Sequence, residues 1–99
     1  MSLPDGDSAL AHRLVDEGAL LLDVRTPAEY AERHLDKSLL IPHTEIVARM
    51  QEVVDAQGGD KHKPIVVFCR RGGRAGIAKQ ALLDHGFTQV TNLGGIDAW

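Results

Sequence analysis

Apolar positions recur along this chain in two rhythms, and the two alternate. Residues 8–18 (SALAHRLVDEG) place Leu10, Leu14 and Val15 at helical spacing, with Asp7 or Ser8 as a cap and Gly18 as a stop. Residues 19–24 (ALLLDV) form a short continuous apolar run, the pattern of a strand covered on both faces. Residues 26–34 (TPAEYAERH) open with Thr26 as cap, Pro27 at the first helical position and Glu29 placed to close a capping box. A second buried strand is predicted over 38–42 (SLLIP), ended by Pro42, and a helix over 44–59 with Ile46, Met50, Val53 and Val54 on one face and Gly58-Gly59 as its end. The run 64–69 (PIVVFC) is the most strand-like of all. A helix over 74–86 follows, with Ile77, Ala78, Ala81 and Leu82 on a common face and Gly86 as its stop, then a last strand over 88–93 (TQVTNL).

Strands that alternate with helices, and that are apolar throughout instead of every second residue, predict a mainly parallel sheet with helices on both faces. In such α/β sheets ligands bind beyond the carboxyl ends of the strands. Cys69 stands at that kind of position. No internal repeat and no low-complexity tract interrupts the pattern.

Ninety-nine residues suit one domain with a single modest core. Residues 1–7 read as a tail, of which Met1-Ser2-Leu3 has the look of an expression remnant. No apolar run approaches the roughly 20 residues that cross a bilayer, so no membrane partner is expected. The opening MSLPDGD lacks the charged and apolar regions of a signal peptide. The compartment stays open between cytoplasm and, for a chain whose leader has been removed, periplasm. The net charge of −3 argues against nucleic acid as a partner. Its distribution says more: Lys61 to Arg74 carry five of the eleven basic residues and no acidic one, which points to a local anion site. A single cysteine forms no internal disulfide and builds no multi-cysteine metal site, and the spacing of the five histidines fits no zinc pattern.

Cys69 is therefore either a small buried hydrophobe, the usual fate of an unpaired cysteine, or a nucleophile. Its neighbours favour the second. A helix starting near Arg74 has first-turn amides without internal partners, and Gly72 and Gly73 let the preceding turn curl so that N–H groups point inward. The helix dipole and Arg70, Arg71 and Arg74 add positive charge at the same spot. A thiol in that field gives up its proton readily, so Cys69 is expected as a thiolate facing an anionic substrate.

The Asp23-Val24-Arg25 opening, the Glu29-x-x-x-x-His34 segment, the cysteine loop and the closing Gly94-Gly95-x-x-x-Trp99 occur together in an order and spacing that resemble the rhodanese family, in particular its small single-domain sulfurtransferases. The resemblance implies a rhodanese-like α/β fold. It implies that Cys69 is catalytic, taking the outer sulfur of thiosulfate or a similar small anionic donor, releasing sulfite and passing the sulfur from a cysteine persulfide to cyanide or a thiol acceptor, whether a small thiol or a thioredoxin-like protein. The amides of residues 70 to 74 would hold the persulfide's charge. Arg70, Arg71, Gly72, Gly73 and Arg74 form the substrate-binding set, Arg74 either touching substrate or orienting the loop, and Asp23 and Arg25 brace the loop from the neighbouring strand end. No metal and no organic cofactor is implied.

Four residues separate Cys69 from Arg74, the shorter loop associated with sulfur; the related phosphate and arsenate enzymes have a wider one. A non-catalytic rhodanese-like interaction or sulfur-relay module is the alternative, and such modules often lack the cysteine or the loop glycines. Three departures stand out. The family's Gly-His-Ile triplet is Arg33-His34-Leu35 here, which removes the glycine of an expected tight turn and leaves His34 a packing and hydrogen-bonding role. MSLPDGD is a poor candidate for the family's usual first strand. The final helix that usually follows the tryptophan is expected to be truncated or absent after Trp99, itself expected in the core.

Overall fold

In a computed structural model, which describes residues 2–99 and leaves Met1 of the tail outside, the chain forms a four-stranded, wholly parallel sheet. The elements are α1 (Ser8–Asp16), β1 (Leu20–Asp23), α2 (Pro27–Glu32), β2 (Leu39–Leu40), a 3-10 turn (His43–Glu45), α3 (Met50–Ala56), β3 (Ile65–Cys69), α4 (Gly73–Asp84), β4 (Val90–Gly95) and a closing 3-10 turn (Ile96–Ala98). The strand order is β2-β1-β3-β4. From β1 the chain moves to one side, and from β3 to the other. The point where the order reverses therefore lies between β1 and β3, the place where open α/β sheets leave a crevice at their carboxyl end.

Both faces are covered, as the unbroken apolar strands predict. Side chains alternate along a strand: Ile65, Val67 and Cys69 point into a core shared with Met50 and Val53 of α3 and Ala75, Ala78 and Leu82 of α4. Val66 and Phe68 point the other way, against Ala11 and Leu14 of α1 with Leu93 and Ile96. Trp99 packs at the margin of this second cluster and stacks on His12.

Local details follow the residues. Asp7 caps α1 by accepting from the Leu10 amide, and Thr26 and Glu29 close the capping box of α2. The helix expected over 44–59 is broken into the 3-10 turn, a stretch of turns and α3. Its tight start is set by Pro42, whose carbonyl accepts the Glu45 amide, and helical dihedrals are left again at Arg49 (φ −107°, ψ 20°). The apolar face survives the break, since Ile46, Met50 and Val53 are all buried. The α4 face expected to contain Ile77 is rotated: Ala75, Ala78 and Leu82 are buried, whereas Ile77 is 60% exposed. The close approach of α4 to β3 selects the small Ala75-Ala78 stripe and turns the larger Ile77 outward.

The tail 2–6 forms no strand of its own, yet it runs along β4 and shields that edge. Gly6 N–H donates to the Asn92 carbonyl, Thr91 Oγ1 to the Pro4 carbonyl and Ser2 Oγ to the Val90 carbonyl. No helix is long and apolar enough to cross a membrane among the described residues.

The rotation of α4 is measurable. Leu82→Ala is expected to lower unfolding stability by about 2–5 kcal/mol and Ile77→Ala by less than about 0.5 kcal/mol, read from urea denaturation midpoints. Equal losses would place Ile77 back in the core.

Candidate active site

Cys69 is the last residue of β3 and is only 1% exposed, but it is not sealed. It lies on the floor of a cavity of about 240 Å³ walled by Arg70, Arg71, Gly73 and Arg74. The Gly72 N–H donates to Sγ at 2.9 Å. The sequence predicts several inward amides around the sulfur; among the described residues this one bonds it, while the N–H groups of Arg71, Gly73 and Arg74 make no backbone bond of their own.

The curl of the loop needs two close approaches. Gly72 adopts φ +107°, a left-handed conformation that favours glycine. At Gly95, a Cβ would overlap the Arg70 carbonyl oxygen and sit 3.0 Å from its carbon. The loop therefore rests directly on the backbone of β4. A bulge between Val67 and Phe68 shifts the β3–β4 register so that Phe68 pairs with Gly94 and Cys69 with Gly95, which brings the glycine pair under the loop. Asn92 fixes this arrangement from β4: its Oδ1 accepts from the Gly94 amide at 2.8 Å and its Nδ2 donates to the Gly72 carbonyl at 3.0 Å.

The remaining candidates divide by what they hold. Arg74 makes a two-pronged ion pair with Glu29, at 2.6 and 3.0 Å, tying the start of α4 to α2. That bond, with help from the Thr26 amide, holds the Glu29 carboxyl down to about 2 from an ordinary 4.5. Arg74 in turn holds its proton more firmly, first through Glu29 and to a smaller degree through the charges of Cys69 and Asp23. Asp23 and Arg25 form a buried pair at 2.7 Å, and Arg25 also donates to the carbonyls of Arg33, at 2.6 Å, and of Glu29. Neither side chain bonds the cysteine loop. Their grip is on α2, and through the Glu29–Arg74 pair it reaches the loop at one remove. His34 is exposed, stacks on Tyr30 and shares a hydrogen bond with the Tyr30 carbonyl.

Arg70 and Arg71 are exposed, and neither has an ion-pair partner among the described residues. The structure thus separates the arginines into two committed to carboxylates (Arg25 and Arg74) and two left to face solvent beside the sulfur. Asn92, the contact of Gly95 with the Arg70 carbonyl and the pairing of Glu29 with Arg74 escape sequence reasoning, although Gly95 itself belongs to the closing Gly94-Gly95-x-x-x-Trp99 pattern. The capping-box reading of Glu29 already accounts for that residue, and nothing local in TNLGG marks an asparagine that reaches across to the next loop.

Two outcomes follow. Gly95→Ala must push the Arg70 carbonyl away, so alkylation of Cys69 by iodoacetamide is expected to change severalfold while the protein stays folded by circular dichroism; an unchanged rate would show that the seat at Gly95 does not position the sulfur. The depressed Glu29 gives the second. Its pair with Arg74 stabilises fully above pH 4.5 and is lost as pH falls towards 2, so the stability gap between wild type and Glu29→Gln, about 1 kcal/mol at neutral pH, should close across that window in acid denaturation.

The family model described as a rhodanese-like domain matches residues 7–99. A sulfurtransferase of Allochromatium vinosum is 40% identical over 93 residues, covering 92% of this chain and 81% of the relative. The thiosulfate sulfurtransferase PspE of Escherichia coli (strain K12) is 35% identical over 75 residues, 76% of this chain and 68% of the relative. The solved structure of a rhodanese with anions from E. coli superposes with a TM-score of 0.73 at 32% identity, covering 83% of this chain and 92% of that one. The parallel sheet between helices, the cysteine loop at its carboxyl end and these relatives agree, and the chain belongs to the rhodanese-like family of sulfurtransferase domains.

Proposed function

We propose that this protein is a thiosulfate-type sulfurtransferase with Cys69 as its nucleophile. The observation that carries the proposal is the position of Sγ: on the floor of an open cavity, bonded by the Gly72 N–H, beneath two arginines that have no carboxylate of their own. Thiosulfate has an outer sulfur to be attacked and a sulfonate to be held. With the sulfonate on Arg70 and Arg71, the Cys69 sulfur attacks the outer sulfur, the sulfur–sulfur bond of thiosulfate breaks, and sulfite leaves with the bonding electron pair. Cys69 then carries the extra sulfur as a persulfide. The unpaired amides of Arg71, Gly73 and Arg74 are the donors that would hold its charge, a preorganised role that needs no rearrangement at the moment of reaction. Cyanide or a thiolate attacks the outer sulfur in the second step and restores the Cys69 thiolate. Arg74 is a positioning residue in this scheme, because Glu29 already occupies its guanidinium.

Intact mass after single-turnover mixing with thiosulfate should show one added sulfur and an equivalent of sulfite, and Cys69→Ser should show neither. Arg70→Ala or Arg71→Ala should raise the KM for thiosulfate by about ten- to a hundredfold each, the loss expected for one charge-assisted contact of roughly 1.5–3 kcal/mol. A wild-type protein whose thiol alkylates normally but gains no sulfur mass would overturn the proposal.

A further inference from the structure

Beside the cysteine cavity lies a second one, of about 180 Å³, between the end of α2 and the closing 3-10 turn. Arg70 is common to both cavities. The seating of the Arg70 carbonyl on Gly95 keeps them adjacent, since Ile96, the next residue, lines the second. Most of its charged walls are already neutralised: Arg25 by Asp23, Glu29 by Arg74, and Arg33 by Asp97 at 2.6 Å. Two lining charges have no partner among the described residues, Arg70 and Glu32. One is positive and one negative.

We infer that this cavity binds the sulfur acceptor, and that the acceptor is a small zwitterionic thiol of the α-amino-acid class, its carboxylate on Arg70 and its ammonium on Glu32. The inference rests on the sulfurtransferase reading above and adds the acceptor's chemistry to it. A singly charged thiol satisfies one of the two free walls and leaves the other unpaired, whereas a zwitterion satisfies both. The Arg33–Asp97 pair at the rim is exposed on both sides, 58% and 81%, so it is held weakly and yields at little cost as the ligand enters. Sharing Arg70 suits a two-step cycle: the sulfonate leaves as sulfite before the acceptor's carboxylate takes its place. The transfer balances without any further reactant. The acceptor's sulfur, ionised by loss of its proton to solvent, attacks the outer sulfur of the Cys69 persulfide, the bond from that sulfur to Sγ breaks, and its electron pair returns to Sγ, which restores the Cys69 thiolate.

The experiment compares L-cysteine, cysteamine, 3-mercaptopropionate and cyanide as acceptors for wild type and for Glu32→Gln, an exposed position whose substitution leaves the core untouched. For each acceptor the ratio of wild-type to variant kcat/KM cancels that acceptor's intrinsic reactivity. This ratio is expected to be about tenfold for cysteine and cysteamine, which carry the ammonium, and near one for 3-mercaptopropionate and cyanide, which do not. A common ratio for all four would overturn the inference. A second arm needs no turnover: S-methyl-L-cysteine titrated into Cys69→Ser should shift the amide resonances of Ile96 and Asp97, and less so when Glu32→Gln is added. Persulfide formation without either effect defeats the acceptor assignment alone. Absence of persulfide with a normal S-methyl-L-cysteine shift defeats the sulfurtransferase reading and leaves a zwitterion-binding cavity.

Discussion

The Arg70 carbonyl rests against Gly95 with no room between them for a side chain, and the geometry at Cys69 depends on that contact. Between the end of β3 and the start of α4 the chain has only Arg70, Arg71 and Gly72 in which to leave a buried strand and begin a helix. Such a turn is made by curling, and curling presses its backbone onto whatever lies beneath. The neighbouring strand offers two glycines there because a bulge has shifted its register by one residue. Asn92 then holds the turn from below by its side-chain amide, and the Glu29–Arg74 pair holds it from the side. The loop is fixed by contacts to β4 and α2 as well as by the left-handed Gly72 within it, and Arg70 and Arg71 are left exposed.

Charge in this site is arranged by what is left over. The chain is acidic overall, yet two carboxylates near the loop are occupied, and the first, Asp23, is buried against Arg25 and receives hydrogen bonds to both of its oxygens. A buried pair this fully bonded avoids the large desolvation cost of an isolated ion, and what it supplies is a fixed link between β1 and α2. Glu29 is likewise consumed by Arg74 and Thr26. The arginines that line the cysteine cavity without a carboxylate partner among the described residues are Arg70 and Arg71, a local excess of positive charge that the net charge of −3 does not reveal.

The sequence carries the sheet and the loop well, because both rest on local rules. Unbroken apolar runs mark strands covered on both faces, and the capping box at Thr26 and Glu29 forms as its spacing predicts. Cys69 at the end of β3, followed by a glycine-rich turn into a helix, is likewise readable from adjacent residues. What escaped reading is non-local. Which face of α4 is buried depends on how closely it approaches β3, so Ile77, which periodicity places on the common face, is exposed while Ala75 is buried. The pairing of Arg74 with Glu29 spans 45 residues and that of Asn92 with Gly72 spans 20, distances at which spacing carries no signal. The tail met the same limit: MSLPDGD has no strand pattern, yet it lies along β4 through bonds that side chains of Ser2, Asp5 and Thr91 complete.

One departure from the family's pattern, at Arg33-His34-Leu35, falls beside the second cavity. Where the resemblance leads one to expect a glycine in a tight turn, Arg33 is extended (φ −162°, ψ 136°), a conformation open to any residue, and Lys37 a few residues on is left-handed (φ 66°). The side chain thus gained reaches across to Asp97 and walls the second cavity. The cysteine cavity, in contrast, is built from the residues that carry the resemblance. In the two-step transfer proposed above, the first cavity would govern which donor loses its sulfur, and its neighbour which nucleophile collects it. On the reading proposed above, a chain that keeps the one and rebuilds the other keeps the first half of the reaction and changes the second, and the unpaired Glu32 that lines the second cavity together with Arg70 is the chemical form of that change.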